Sequence, residues 1–359
     1  MRLLQRLKHG LNSQKSRPQG HSNYAYTTAR VRAMKSKLLP QETYPRLMNM
    51  QIAEITRFIQ EVEYKEDVDQ LARLYEGVDL IEHALNRNLA VTFTKLISIS
   101  EGELNFLISE YLKKYDIWNI KTILRGKRCG ASTDEILEAV VTAGRLSYTF
   151  TSELAAKSTY EDVIAALSTS EYYLILKDYN GENLSEIENL LDKKYYYDLF
   201  QSIGNPKSKD RKLFNKFIRT DIDLKNLVTI FRLKKYGISD PSAADLLIEG
   251  GLKLKIRDIE RMLSLSFEDF LSELEKTPYW EEISSCCSVK MDSLIDLETR
   301  IKKLRLKSAE SFSHVYPLSI VPIMDYILSK ENEVGNLRMI IRGKAVGLSD
   351  EEIKNQLVI

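Results

Sequence analysis

A fifteen-residue pattern recurs three times in this chain and constrains its fold more than any other feature. The first copy reads Asp116-Ile-Trp-Asn119-Ile-Lys-Thr-Ile123-Leu-Arg125-Gly-Lys127-Arg-Cys-Gly130. The second, 107 residues later, is Asp223-Leu-Lys-Asn226-Leu-Val-Thr-Ile230-Phe-Arg232-Leu-Lys234-Lys-Tyr-Gly237. The third, a further 110 residues on, is Glu333-Val-Gly-Asn336-Leu-Arg-Met-Ile340-Ile-Arg342-Gly-Lys344-Ala-Val-Gly347. A second element precedes each copy: Ile81-Glu82, Ile187-Glu188 and Leu297-Glu298 stand 38, 39 and 39 residues before the pattern's asparagine. A third comprises Glu66-Asp67-Val68, Glu161-Asp162-Val163 and Glu268-Asp269-Phe270, the last two followed by Tyr172-Tyr173 and Tyr279-Trp280. Three elements in one order, three times over, point to a triplicated unit.

The pattern itself is helical. Asn119, Ile120, Ile123, Leu124 and Lys127 share one face, as do Asn226, Leu227, Ile230, Phe231 and Lys234, and Asn336, Leu337, Ile340, Ile341 and Lys344. Gly130, Gly237 and Gly347 end these helices, where a residue without Cβ suits a left-handed cap. Ser132 with Glu135, and Ser349 with Glu352, read as capping boxes, while Ser239-Asp240-Pro241 reads as a proline-assisted start. With 15 Gly and 8 Pro in 359 residues, and no proline from Arg46 to Asn205, the chain lacks the turn residues of an all-β fold. We expect an all-α fold of three similar helical units. Residues 1–22 form a basic extension read as disordered. The units run over 23–130, 131–240 and 241–359, the last with a closing C-terminal helix. A helix starting near Tyr24 and carrying Arg30-Val-Arg32 aligns with Arg125-Gly-Lys127 at an offset of 95 residues. The chain would then begin and end with the same kind of helix, as closing a ring of units requires.

Charge and motifs exclude several functions. The net charge is +1, yet residues 1–41 hold nine Lys/Arg and no acid, which leaves the remainder at −8. A body of that sign binds nucleic acid poorly. Gly126-Lys127 and Gly343-Lys344 lack the flanking residues of a phosphate-binding loop: Lys121 and Arg338 occupy the earlier glycine position, and Arg128 and Ala345 the following Ser/Thr position. His9, His21, His83 and His314 are not at metal spacing with one another or with Cys129, Cys286 or Cys287. The Glu-Asp pairs lack the further carboxylates of a magnesium-diphosphate site and read as first-turn helix acids. The longest uncharged run near the C-terminus, Ser311–Met324, has 14 residues, short of the roughly 20 that span a membrane. No catalytic residue, cofactor, metal, nucleic-acid partner or small-molecule ligand is expected. The candidate structural or interface residues are those of the repeat: Asn119, Arg125, Lys127 and Gly130; Asn226, Arg232, Lys234 and Gly237; Asn336, Arg342, Lys344 and Gly347. The three arginines lie off the apolar stripe. They read as ion pairs within each unit, for instance with Glu82, Glu188 and Glu298, or else as a three-fold set facing a shared partner. Tyr195-Tyr196-Tyr197 is expected to divide between core and surface.

Tyr24-Ala-Tyr26-Thr-Thr-Ala-Arg30-Val-Arg32-Ala-Met, with Asn119-Ile-Lys121…Arg125-Gly-Lys127 and Asn336-Leu-Arg338-Met-Ile-Ile-Arg342-Gly-Lys344, resembles the C subunit of archaeal and bacterial A/V-type ATP synthases, a relative of the d subunit of vacuolar proton pumps. The likeness runs from about Tyr24 to the C-terminus. It implies an all-helical funnel of three domains with pseudo-three-fold symmetry. It further implies a non-catalytic rotor spacer on the cytoplasmic face of the membrane. Such a spacer sits on the proteolipid ring, holds the foot of the central stalk in its cavity, and passes torque between ATP chemistry and ion transport. The competing expectation is an open α-helical repeat adaptor for an unrelated protein, which would be an extended solenoid with terminal caps.

Overall fold

The computed structural model describes residues 21–238, 241–286 and 294–359. Most of segment 1–22, the Ser239-Asp240 start and Cys287 lie outside the described residues. Among the described residues the regular structure is helical and contains no strand, as the repeat pattern requires. The longer helices are α1 (Tyr24–Lys35), α2 (Gly77–Ile99), α3 (Gly102–Leu112), α4 (Lys114–Cys129), α5 (Leu184–Ile203), α6 (Lys209–Lys235), α7 (Ile295–Val315) and α8 (Val321–Ala345). They form hairpins: α2 turns into α3 and α4, α5 into α6, and α7 into α8. Pro322 fits the first turn of α8 because the amide it lacks has no helical partner there. The hairpin turns meet at one end of the molecule. Leu104 N donates to Ser22 Oγ (3.3 Å), Ser208 Oγ donates to Glu103 (3.0 Å), and Ile320 N donates to Asp210 (2.9 Å).

Shorter helices gather around the other end, and the repeat residues hold them. Asn119 spans the main chain of Val141: its Nδ2 donates to the carbonyl (2.8 Å) and its Oδ1 accepts from the amide (2.9 Å). Asn226 does the same to Ile248 (2.8 and 2.9 Å), and Asn336 to Val358 (2.9 and 3.0 Å), each 22 residues downstream. Asp116 accepts from Arg145 N (3.0 Å), Leu146 N (2.9 Å) and Tyr172 OH (3.2 Å). Asp223 accepts from Lys253 N (2.7 Å), Leu254 N (3.2 Å) and Tyr279 OH (2.6 Å). At the same place in the third copy, Glu333 accepts from Leu39 N (2.5 Å) and Tyr64 OH (2.6 Å), which come from the other end of the chain. The lysines agree. Lys127 donates to Ala155 O (2.5 Å), Lys234 to Leu263 O (2.6 Å) and Lys344 to Met48 O. Each of these carbonyls closes a short helix, where the helix dipole favours a cation.

The short helices that follow α4 and α6 in sequence thus have counterparts supplied by both chain ends: Asp350–Gln356 and Thr43–Met48 pack on α8, and Ile52–Gln60 and Lys65–Leu71 pack on α2. The Glu-Asp pairs stand in first helical turns, and the residue after each pair (Val68, Val163, Phe270) is fully buried. Asp67 differs from its counterparts: it is buried and accepts from Asn88 Nδ2 at 2.8 Å. α1 packs along α8, with Lys35 Nζ 2.8 Å from Asp325, while Arg30 and Arg32 are exposed.

Gly130, Gly237 and Gly347 have φ of 70°, 63° and 76°. At each, the following amide reaches back five residues: Ala131 N to Gly126 O (2.9 Å), Ile238 N to Leu233 O (2.9 Å) and Leu348 N to Gly343 O (2.8 Å). This is the doubled closure of a Schellman cap. Nothing lies within 4 Å of where a Cβ would stand on any of the three, so a substitution there acts through backbone strain alone. Gly130→Val is expected to lower the stability measured by urea unfolding by at least about 1 kcal/mol. A loss below about 0.3 kcal/mol would contradict the cap's role. Gly126 and Gly343 serve packing instead: a Cβ would collide with Ile136 and Ile353 of the capping-box helices Thr133–Glu138 and Asp350–Gln356.

Candidate functional site: a charged cavity lined by all three copies

The repeated arginines do not pair within the expected units. Arg125 binds Glu188 through two bonds (both 2.6 Å), Arg232 binds Glu298 (2.9 and 2.7 Å), and Arg342 lies 2.5 Å from Glu82. Each pair steps to the following glutamate, and the third returns to the first. The reason is geometric: the glutamate helices α2, α5 and α7 pack against the C-terminal half of the preceding pattern helix. The third contact is the most elaborate. Fully buried Glu82 also takes Arg338 (2.7 Å), whose other nitrogen donates to Asn86 (2.6 Å), and Arg342 reaches Glu138 (3.4 Å). The Arg125 and Arg232 side chains are half exposed, so these pairs contribute about 0.2–1 kcal/mol each.

Inside this girdle lies a cavity of about 470 Å³. Its walls come from equivalent positions of the three copies. Lys114, Asp221 and Glu331 occupy one repeat position; Leu89, Tyr195 and Arg305 occupy another, seven residues after Glu82, Glu188 and Glu298. The two sets interlock. Lys114 Nζ is 2.5 Å from Glu331, which also accepts from Tyr115 OH (2.8 Å). Arg305 Nε is 2.6 Å from Asp221, which also accepts from Tyr196 OH (2.9 Å). Tyr195 OH donates to Tyr111 O (2.9 Å), and Arg305 donates to the Tyr111 hydroxyl (3.2 Å). Burial alone would raise the Asp221 pKa, but Arg305, Lys225 and Lys114 outweigh it and hold the carboxyl below its ordinary value. Burial likewise opposes charge on Lys114, and Glu331 and Tyr111 together outweigh it, so its pKa is raised. The lining is therefore ionised and largely paired, a surface suited to recognising a protein by charge and aromatic contact.

Lys121 and Arg338, two residues after the repeated asparagines, reach the cavity wall, where Lys121 binds Asp192 (2.7 and 2.6 Å). None of the twelve repeat residues lines this cavity, and Asn336 lines a smaller one beside it. Of the tyrosine run, Tyr195 and Tyr196 are both buried and face the cavity, and Tyr197 is half-buried, so the division favours the core. His83 stacks on Tyr75, ring centres 3.9 Å apart, and burial lowers its pKa. Among the described residues no group of three or more His, Cys, Asp and Glu could hold a metal ion. None of the helices formed by the described residues is long and apolar enough to cross a membrane.

The model of the ATP synthase (C/AC39) subunit family matches residues 27–356. The chain belongs to that family. It is 64% identical over 359 residues to the C subunit of the A-type ATP synthase of Methanococcoides burtonii, covering all of both chains. To the C subunit of the A-type ATP synthase of Methanosarcina mazei it is 57% identical over 362 residues, again covering all of both. To that of Halobacterium salinarum it is 36% identical over 350 residues, 95% of this chain and 99% of the other. The alignment with the Methanococcoides protein takes in segment 1–22 as well, beyond the stretch from Tyr24 that carries the motifs. As a family member, the chain is a subunit of an ATP synthase, and its described residues are helical and form no strand.

Proposed function

We propose that this chain is a non-catalytic spacer in the central rotor of an A-type ATP synthase. It joins the central-stalk subunits to the proteolipid ring on the cytoplasmic face of the membrane and transmits torque for ion transport coupled to ATP synthesis or hydrolysis. The observation that carries this reading is the cavity walled by equivalent positions of all three copies and closed where the chain's ends meet, at Arg338, Arg342 and Glu82. We infer a funnel of three units, 23–130, 131–240 and 241–359, with pseudo-three-fold symmetry, the third completed by residues near the N-terminus. The cyclic order of the Arg–Glu pairs supports it and weighs against an open adaptor, whose last unit would have no such neighbour. A torque-bearing part must be stiff, and a paired network at the centre suits that. The stalk's foot enters the cavity, and the broad side rests on the ring.

Affinity purification of this chain from native membranes should bring the ring and stalk subunits with it; recovery with neither contradicts the reading. Contact with hydrated ring loops is in part electrostatic, and screening at 1 M salt shortens its range to about 3 Å. High salt without detergent should therefore release the chain from the membranes. Retention in the pellet after both high salt and alkaline wash would contradict a peripheral attachment.

A further inference from the structure

The frame around the cavity repeats, but the side chains it presents do not. In Asp116-Ile-Trp118-Asn119-Ile every residue is buried except Trp118. In Asp223-Leu-Lys225-Asn226-Leu the exception is Lys225, and in Glu333-Val-Gly335-Asn336-Leu it is Gly335. Trp118 and Lys225 open on the large cavity, and Gly335 opens on a cavity of about 230 Å³ beside it, which shares Arg305 and Glu331 as walls. One position per copy thus faces inward, and the three carry an aromatic ring, a cation and no side chain.

Each member is set up to meet something. Trp118 is 50% exposed, and its Nε1 donates to Ala139 O (3.0 Å), which fixes the indole and leaves its apolar surface open. Lys225 lies 5.1 Å from the Tyr196 ring centre, while the carboxylates whose charge it feels, Asp192 and Asp221, are bound to Lys121 and Arg305. Gly335 is a poor helix former in the middle of α8, and nothing lies within 4 Å of where its Cβ would stand. A partner guided by the repeated frame alone could enter in three settings. A three-fold symmetric partner would match one of these positions and mismatch two.

We propose that Trp118, Lys225 and Gly335 are an orientation key that admits one single-copy subunit of the same complex in one of three rotational settings. That subunit places an acidic side chain against Lys225, an apolar one against Trp118 and its bulkiest part over Gly335. The inference rests on the proposed function, in which the cavity receives the stalk, and it adds what fixes the angle between the stalk and this chain.

The key can be turned without changing its parts. The triple variant Trp118→Gly, Lys225→Trp, Gly335→Lys moves each side chain to the next copy, and Lys225→Glu reverses one contact while leaving the helix intact. Both are assembled into the complex and imaged by electron cryomicroscopy, with affinity for the purified stalk subunits measured alongside. In the triple variant the occupant should be turned by about 120° relative to this chain, or bound at least about tenfold more weakly. Lys225→Glu should weaken binding by about tenfold or more, and it decides alone if the triple variant does not fold. An occupant in the original setting, with affinity within about twofold in the folded variants, overturns the key while leaving the rotor reading intact. A cavity left empty in the assembled wild-type complex overturns the rotor reading, and the key with it.

Discussion

Asp223→Ala should destabilise the chain by at least about 3 kcal/mol. The carboxylate is fully buried and accepts from two backbone amides and the Tyr279 hydroxyl, so its loss strands three donors at once. Each buried orphan costs about 1–3 kcal/mol. Lys253 is exposed and its amide can turn to water, but Leu254 and Tyr279 are buried, which keeps the total near that figure. The loop has no room to refill the site with another arrangement, since it already packs Gly251 against the carboxylate so closely that a Cβ would collide. Urea unfolding measures the loss, with Arg232→Ala as the reference, because its exposed pair is worth at most about 1 kcal/mol. Hydrogen exchange at the Leu254 amide should accelerate in Asp223→Ala and not in Arg232→Ala. Equal effects of the two substitutions would contradict the bracing role of Asp223.

Arg305→Met should cost about 3 kcal/mol at neutral pH, the low end of what breaking a buried ion pair costs, because Arg305 opens on the cavity and water can reach the site. The loss should depend on pH in a definite direction. Asp221 is held below the ordinary carboxyl value of 3.8 in the folded chain. Its stabilising contribution is therefore present above that value and is lost as pH falls through the folded pKa. In Arg305→Met the carboxyl loses its main counter-ion, and acid relieves its burial by protonating it. The difference between the two proteins should close below about pH 4. A difference that stays constant from neutral pH into that range would show that Arg305 acts by packing rather than by charge.

The parts of the fold that were legible in the sequence are those where the three copies keep the same residue. The asparagines, the lysines on the helix-end carbonyls and the cap glycines are each repeated because one local geometry is built three times. The Arg–Glu columns were visible too, but a column does not say which neighbour its members reach, and the pairs step one unit further than expected. The same limit hid which early segments meet α8. Glu66-Asp67-Val68 lies before the first pattern in the chain, and its helix packs on α2, yet Tyr64 at its start bonds to Glu333 of α8, a partner that chain order does not suggest. The residues that line the cavity were not legible. Its key positions carry Lys114, Asp221 and Glu331 in one column and Leu89, Tyr195 and Arg305 in another. Because the charge changes from copy to copy, no consensus marks them; only their place on the inner face of each helix unites them.

The rotor assignment is tested most directly by watching this chain while the enzyme turns over. Cys129 is free and exposed at the end of α4, so with Cys286 and Cys287 changed to Ser it accepts a single probe. With the catalytic head fixed to a surface and ATP supplied, a probe on Cys129 should rotate continuously in one direction, in step with the central stalk. A probe that stays still relative to the head while ATP is hydrolysed would contradict the assignment.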